Sequence, residues 1–411
     1  MSTERITPLT SGLTIATDHV PGARSVAIGV WVAVGSRDEP PALSGVSHFL
    51  EHLLFKGTPT RTATDISRAV DRVGGDINAF TSKEYTAYYC RMPRRHAATG
   101  IELLGDVLTR SLLDDADVES ERQVILEELA MDDDSPDDVA LRALARQLFG
   151  DHGLGRDTAG ERETVTSIAA GDIREFFAEH YRAGATTIAI AGDVDHDDVV
   201  EEVTAAFADL PTGDGRIARA APGPSEEDVE IDDDSEQVHL AIGGRSVPRD
   251  DPDREALDVV NHVFGGGLSS RLFDEIRERR GLAYSVYSAT SAYADAGAWS
   301  VYAGAMPDHA GEVERLVGFE LQRLVTDGIT DDELAVAIGY LTGAYELGLE
   351  DTGARMSRLG GMLSTLGRVI PVDEQIARWE AVQHGDVQRV LERVYGAGRP
   401  VTVAVGPAYD R

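Results

Sequence analysis

The stretch Val238-His239-Leu240-Ala241-Ile242-Gly243 reads as an apolar strand running into a polar turn, Arg249-Asp250-Asp251-Pro252. The first half of the chain carries the same device, Val26-Ala27-Ile28-Gly29-Val30 followed by Arg37-Asp38-Glu39-Pro40. Outward from these strands, at offsets of 210 to 214 residues, Leu50-Glu51-His52-Leu53 falls on Val260-Asn261-His262-Val263, Lys56-Gly57 on Gly266-Gly267, and Met92-Pro93 on Met306-Pro307. A shared order of elements at nearly fixed spacing marks a duplicated unit. Residues 87–92 and 297–302 are clear strands by their aromatic and β-branched content. The halves close on similar strands, 186–193 and 400–406, the first followed by an amphipathic helix over 197–208. The pattern predicts an α+β fold of two homologous lobes, each a largely antiparallel sheet with helices packed on one face. Residues 1–212 form the first lobe, the acidic Pro- and Gly-rich stretch 213–234 a linker, and 235–411 the second lobe.

The first lobe holds His48-Phe49-Leu50-Glu51-His52. On an α-helix, residues four apart lie one above the other, so His48 and His52 can grip one ion, with Glu51 beside them. Val46, Phe49, Leu50, Leu53 and Leu54 supply an apolar stripe, and Gly57 with Pro59 a stop. A catalytic zinc takes three protein ligands and keeps a position for water, so a third ligand is required. Glu128 is the best candidate, on an acid-rich helix whose apolar side carries Val124, Ile125 and Leu129. Glu121 lies two turns earlier on the same face; one of the pair can bind metal while the other orients a histidine. Glu127 points away. Glu51 suits a general base, taking a proton from metal-bound water and passing it to the leaving amine. The duplicated positions Asp258, Asn261 and His262 keep the helix without the constellation, so the fold alone does not demand it.

With these residues the sequence resembles the pitrilysin and insulinase family of zinc peptidases, the inverzincins, over essentially its whole length. It is similar to the mitochondrial processing peptidase β-subunit and its short prokaryotic relatives. The resemblance implies a zinc metalloendopeptidase whose third ligand stands about 76 residues after the second histidine, which carries that role onto Glu128, with Glu121 in support. It implies that the edge led in by Gly74-Gly75 receives the substrate as an added strand on Asn78, Ala79 and Phe80. It places the glycine-rich loop 264–273 near the substrate path; that loop lacks the Lys-Ser/Thr of a phosphate-binding loop. Arg277 and Tyr284, seven apart, match the pair that members bring to the scissile bond, where a cation and a phenol can hydrogen-bond an oxyanion. Short members often work as dimers, with a second copy or a homologous chain. A non-catalytic structural or peptide-binding subunit is the competing reading, and a metal-binding protein without hydrolysis the third.

Composition narrows the setting. Of 411 residues 42% are hydrophobic, enough for two domains with proper cores. The net charge of −34 disfavours nucleic acid and anionic membranes as partners. Lys56 and Lys83 are the only lysines among 38 basic residues, and the acidic surplus is spread along the chain, as expected of a halophilic-like surface. A lone cysteine, Cys90, forms no internal disulfide, the start Met1-Ser2-Thr3-Glu4-Arg5 is polar, and no run reaches the length of a membrane span. A soluble, cytoplasmic protein acting on peptides or unfolded chains is expected.

Overall fold

The computed structural model describes residues 3–223 and 227–410; residues 1, 2, 224–226 and 411, three of which belong to the expected linker, lie outside it. Six strands make the first sheet: β1 (Glu4–Pro8), β2 (Thr14–His19), β3 (Ser25–Val32), β4 (Asp76–Thr81), β5 (Thr86–Pro93) and β6 (Thr186–Gly192). Their order is β1-β2-β6-β3-β5-β4, antiparallel throughout the described residues except for β2 with β6. The second sheet has β7 (Val229–Ile231), β8 (Val238–Ser246), β9 (Ala283–Ala292), β10 (Gly297–Ala305) and β11 (Val401–Val405), in the order β7-β11-β8-β10-β9. Here β7 and β11 run parallel and the rest antiparallel. The fold is α+β with two sheets, and β3 and β8, the strands that opened the sequence reading, lie inside their respective sheets.

The helices of the first half are α1 (Val46–Leu53), α2 (Ala63–Asp71), α3 (Ala97–Arg110), α4 (Asp115–Asp133), α5 (Pro136–Phe149), α6 (Arg162–Ser167), α7 (Ala170–His180) and α8 (His196–Ala206). Those of the second are α9 (Arg254–Asn261), α10 (Pro307–Asp327), α11 (Asp331–Gly348), α12 (Thr352–Leu366), α13 (Val372–Glu380) and α14 (His384–Val390). The chain forms two compact units, but not along the contiguous boundaries expected at 212 and 235. The first takes residues up to 129, 157–219 and 347–369; the second takes 130–156, 220–346 and the remainder from 370. Each unit thus owns one helix from the half of the sequence that builds the other: α12 belongs to the first and α5 to the second.

Strand alternation explains the exchange. In the first unit Ile15, Val26, Ile28, Val30, Ile188 and Ile190 face a core shared with α1, α3 and α8. The intervening Ala16, Ala27, Trp31, Ala189 and Ala191 face Met356, Leu359 and Leu363 of α12. Small residues on that face let a helix approach closely. A Cβ on Gly360 of α12 would stand 2.1 Å from the Trp31 ring, so glycine is required where helix and indole meet. In the second unit Leu240, Ile242 and Val301 pack with α9 and α10, while Ala241, Val401, Val403 and Val405 pack on Ala140, Leu144 and Leu148 of α5. Most helices lie on one face of each sheet as expected; one further helix per sheet covers the opposite face, which the one-face expectation did not include.

The expected linker is also built into the units. The Gly213 carbonyl accepts from the Gly184 N–H, and Arg219 grips Asp38 through two bonds of 2.7 Å. Val229 and Ile231 of β7 pack at the edge of the second sheet, because their alternate spacing offers an apolar side to the α5 core.

Candidate metal centre and active site

Helix α1 is held at its N-terminal end by groups remote from its own pattern. Gly45 enters it with φ of +97°, and its backbone runs against Ala159, where a Cβ would meet the carbonyl oxygen at 2.5 Å. The buried Glu39 carboxylate accepts from the Gly45 and Ser47 N–H groups at 2.7 and 2.8 Å, placing negative charge at the positive helix end. Val46, Phe49, Leu50 and Leu53 are fully buried, as is Leu54 just beyond the helix, and this turns His48, Glu51 and His52 the other way, half-buried.

Helix α4 brings its acids to that face. Val118, Ile125 and Leu129 are its buried apolar side; Val124, expected there, is 39% exposed because it falls off the stripe that those three define. Glu121 is buried, Glu128 half-exposed and Glu127 exposed. His48 Nε2 and His52 Nε2 stand 3.9 and 3.5 Å from Glu128 Oε2, and the ligand atoms of the three side chains lie within 4.8 Å of one another. Among the described residues this is the one group of three or more His, Cys, Asp or Glu side chains so gathered.

The other ring nitrogen of His52, Nδ1, donates to Glu121 Oε2 at 3.1 Å, since a carboxylate can only accept. That leaves the Nε2 lone pair turned towards Glu128. His48 Nδ1 is buried and has no hydrogen-bond partner among the described residues, so packing and the edge-on contact with the His52 ring, 4.8 Å between centroids, hold it. Burial, reinforced by the neighbouring His52, lowers the His48 pKa to about 4, which keeps its imidazole neutral and able to ligate at neutral pH.

These residues fit a catalytic zinc ion. Two imidazole nitrogens and one carboxylate oxygen are a standard donor set, and the ligand atoms of a tetrahedral zinc stand about 3.4 Å apart. The His52–Glu128 separation of 3.5 Å is close to that value, the His48–Glu128 separation of 3.9 Å is wider, and all three donors lie within 4.8 Å, so modest side-chain movement would bring them onto one ion. Three protein donors leave a coordination position for water or substrate.

Glu51 reaches the same space from α1. Burial raises its carboxyl above the ordinary range, and Glu128 adds to this, while the Thr81 hydroxyl and backbone and the nearby His52 pull it down. The Thr81 hydroxyl donates to Glu51 Oε2 at 2.7 Å. Thr81 is the last residue of β4, which pairs with β5 and is the final strand of its sheet, so its other side is an open edge. Asn78 and Ala79 lie on this strand, the Asn78 side chain accepting from the Ala79 N–H at 2.8 Å, and Phe80 beside them is 38% exposed.

In the second unit the guanidinium of Arg277 lies 4.4 Å from the centre of the Tyr284 ring and 4.8 Å from that of Phe273. Tyr284 is 79% exposed. The duplicated positions there are taken up by structural bonds. Asp258 accepts from Trp379 and pairs with Arg254, Asn261 accepts from Ser288, and the buried His262 stacks on Tyr340 at 4.2 Å.

Sequence reasoning did not single out Thr81, Lys56 or Glu39 for the site. Thr81 lay in the glycine-led stretch already read as an edge, and its distance of 30 residues from Glu51 hid the bond. Lys56 binds Glu121 Oε1 through its ammonium at 2.5 Å. Its signal was compositional: it is one of two lysines.

Comparison with known proteins gives the family of the chain. Residues 14–162 match the family described as insulinase (peptidase family M16), and residues 167–341 the family described as the peptidase M16 inactive domain. A Streptomyces coelicolor protein named an uncharacterized zinc protease is 44% identical over 423 residues, covering 100% of this chain and 91% of that one. A Bacillus subtilis protein of the same description is 36% identical and covers 95% and 93%. A solved structure of a Helicobacter pylori protease superposes with a TM-score of 0.93 at 22% identity, covering 99% of this chain and 100% of the other. The peptidase M16 inactive domain of Pseudomonas fluorescens gives 0.92 at 21%, covering 99% and 98%; these two likenesses speak to the fold. The chain belongs to the insulinase family of peptidases, family M16.

Proposed function

We propose that the protein is a zinc-dependent endopeptidase that hydrolyses extended or unfolded peptides. The observation that carries this reading is the convergence of His48, His52 and Glu128 beside a carboxylate, Glu51, that burial has made more basic. His48, His52 and Glu128 would hold zinc, with Glu121 behind His52. Zinc bound there acidifies water and polarises a peptide carbonyl. Glu51 accepts the proton from the attacking water and returns it to the leaving amine; a raised carboxyl pKa suits a base that must also serve as acid. Thr81 fixes the carboxylate in line with the strand edge. A peptide added to β4 along Asn78, Ala79 and Phe80 would run towards Thr81, and so towards the base; such pairing requires an extended segment. Arg277 and Tyr284 are assigned to the reacting carbonyl, and Tyr284→Phe should then lower kcat far more than it raises KM. Cytoplasmic action and a dimer, with a second copy of this chain or with a homologous one, belong to the same reading, the latter checked by sedimentation.

The test is zinc content together with chelator-sensitive cleavage of a quenched, unstructured peptide in high salt. Glu51→Gln should keep stoichiometric zinc and lose turnover. Substantial cleavage by that variant would refute the role of Glu51, and zinc without cleavage in the parent would refute the peptidase.

A further inference from the structure

We infer that Lys56 is a positioning residue of the metal centre: it occupies one oxygen of Glu121 so that the other stays committed to His52. The inference rests on the metal-binding reading above. The contacts form a chain, Lys56 Nζ to Glu121 Oε1 at 2.5 Å, Glu121 Oε2 to His52 Nδ1 at 3.1 Å, and His52 Nε2 to Glu128 Oε2 at 3.5 Å. Glu121 is 6% exposed, so its carboxylate has few other partners to turn to.

The choice of lysine carries the argument. All but two of the 38 basic residues are arginine, yet this one is not. A guanidinium is a planar fork that tends to take both oxygens of a carboxylate, whereas an ammonium is a compact point donor. The protein shows the fork's habit elsewhere. Arg219 takes both oxygens of Asp38 at 2.7 Å each, and Arg271 both oxygens of Glu333 at 2.7 and 2.9 Å. An arginine at 56 would compete with His52 for Oε2 and release the imidazole. Lys56 sits just past α1, its N–H donating to the Leu53 carbonyl at 3.0 Å, so the helix that carries the histidines also fixes the ammonium. At the duplicated position the second lobe has Gly266, and there the ligand set is missing as well.

Zinc affinity, measured by competition with a chromophoric chelator in multimolar KCl, tests this on the parent, Lys56→Gln and Lys56→Arg, with thermal unfolding of each zinc-free protein alongside. Loss of a group that supports a ligand costs about 10- to 100-fold in metal affinity. Both variants should show that loss at a temperature below every melting transition, where each zinc-free protein is still folded. Affinity within about threefold of the parent in Lys56→Gln would overturn the inference. So would restored affinity in Lys56→Arg, which would mean that charge alone suffices, or zinc-free variants already unfolded at the temperature of the affinity measurement, which would make the role one of folding. A parent protein that takes up no zinc would overturn the metal reading itself, and this inference with it.

Discussion

Glu51 and Thr81 meet across two elements, a helix and a strand end, and the bond between them ties the candidate base to the edge where a peptide would lie. A hydrogen bond to a charged group contributes about 1.5–3 kcal/mol. Thr81→Val should therefore lower kcat about tenfold or more with zinc content unchanged, a loss that peptide cleavage kinetics and metal analysis read together. Asp106 gives a second prediction at this scale. It is fully buried and accepts from Arg61, Thr58, Thr60 and Arg110 at 2.5, 2.9, 3.2 and 2.8 Å. Burial alone would raise its carboxyl, but the bonds from Arg61, Thr58 and Arg110 outweigh it and hold the pKa below the ordinary aspartate range. A depressed folded pKa means stability that is present above about pH 4, the unfolded value, and lost as pH falls through the folded one. Asp106→Asn should cost roughly 2–3 kcal/mol near neutrality. Unfolding measured from pH 5 downwards should show a shallower acid loss in that variant than in the parent. Of the site, sequence made legible what helical spacing encodes: His48, Glu51 and His52 on one face, and Glu121 with Glu128 on another. It did not reveal Thr81 or the Glu39 cap, because both bonds depend on how loops and strands return to α1 in space.

At the scale of elements, the contact between α12 and β3 is the tightest packing constraint described. Gly360 faces the Trp31 ring with no room for a methyl group, while Gly361 has nothing within 4 Å of its would-be Cβ. Gly360→Ala should destabilise by about 1–3 kcal/mol through overpacking. Gly361→Ala, in the same helix, should be neutral or stabilising by up to about 1 kcal/mol, since alanine is the better helix former; chemical denaturation of the pair separates steric conflict from propensity. Strands β3, β5, β6, β8, β10 and β11 and helices α1 and α4 were legible from pattern and composition, whereas β1, β2 and β9 were not read and β7 lay in the expected linker. That α12 and α5 would each cover the sheet of the other half was not, because an apolar stripe states that a helix is buried without naming the surface it covers. A trace was present in Ile188-Ala189-Ile190-Ala191: isoleucines on one face and alanines on the other describe a strand with a thick core on one side and a close helix on the other.

For the whole molecule, the net charge of −34 bears on how stability should depend on salt. Self-repulsion at that charge weakens a compact state in dilute buffer and is screened as the Debye length shrinks to about 3 Å at 1 M salt. The melting temperature should rise from low to multimolar KCl; equal values at both would remove the case for a salt-adapted surface.

The exchange of α5 and α12 also fixes a timetable. Ser25 of β3 bonds Thr352 of α12 across 327 residues of chain. On a ribosome adding about 5–20 residues per second, the β3 part of the face, Ala27 and Trp31, waits roughly 16–65 s for the helix that closes it. During that interval a nascent chain that already carries its histidines and glutamates presents Trp31 and its alanines to whatever is near. Nascent chains stalled before residue 352 should be the ones that chaperones retain, and release should follow the emergence of α12.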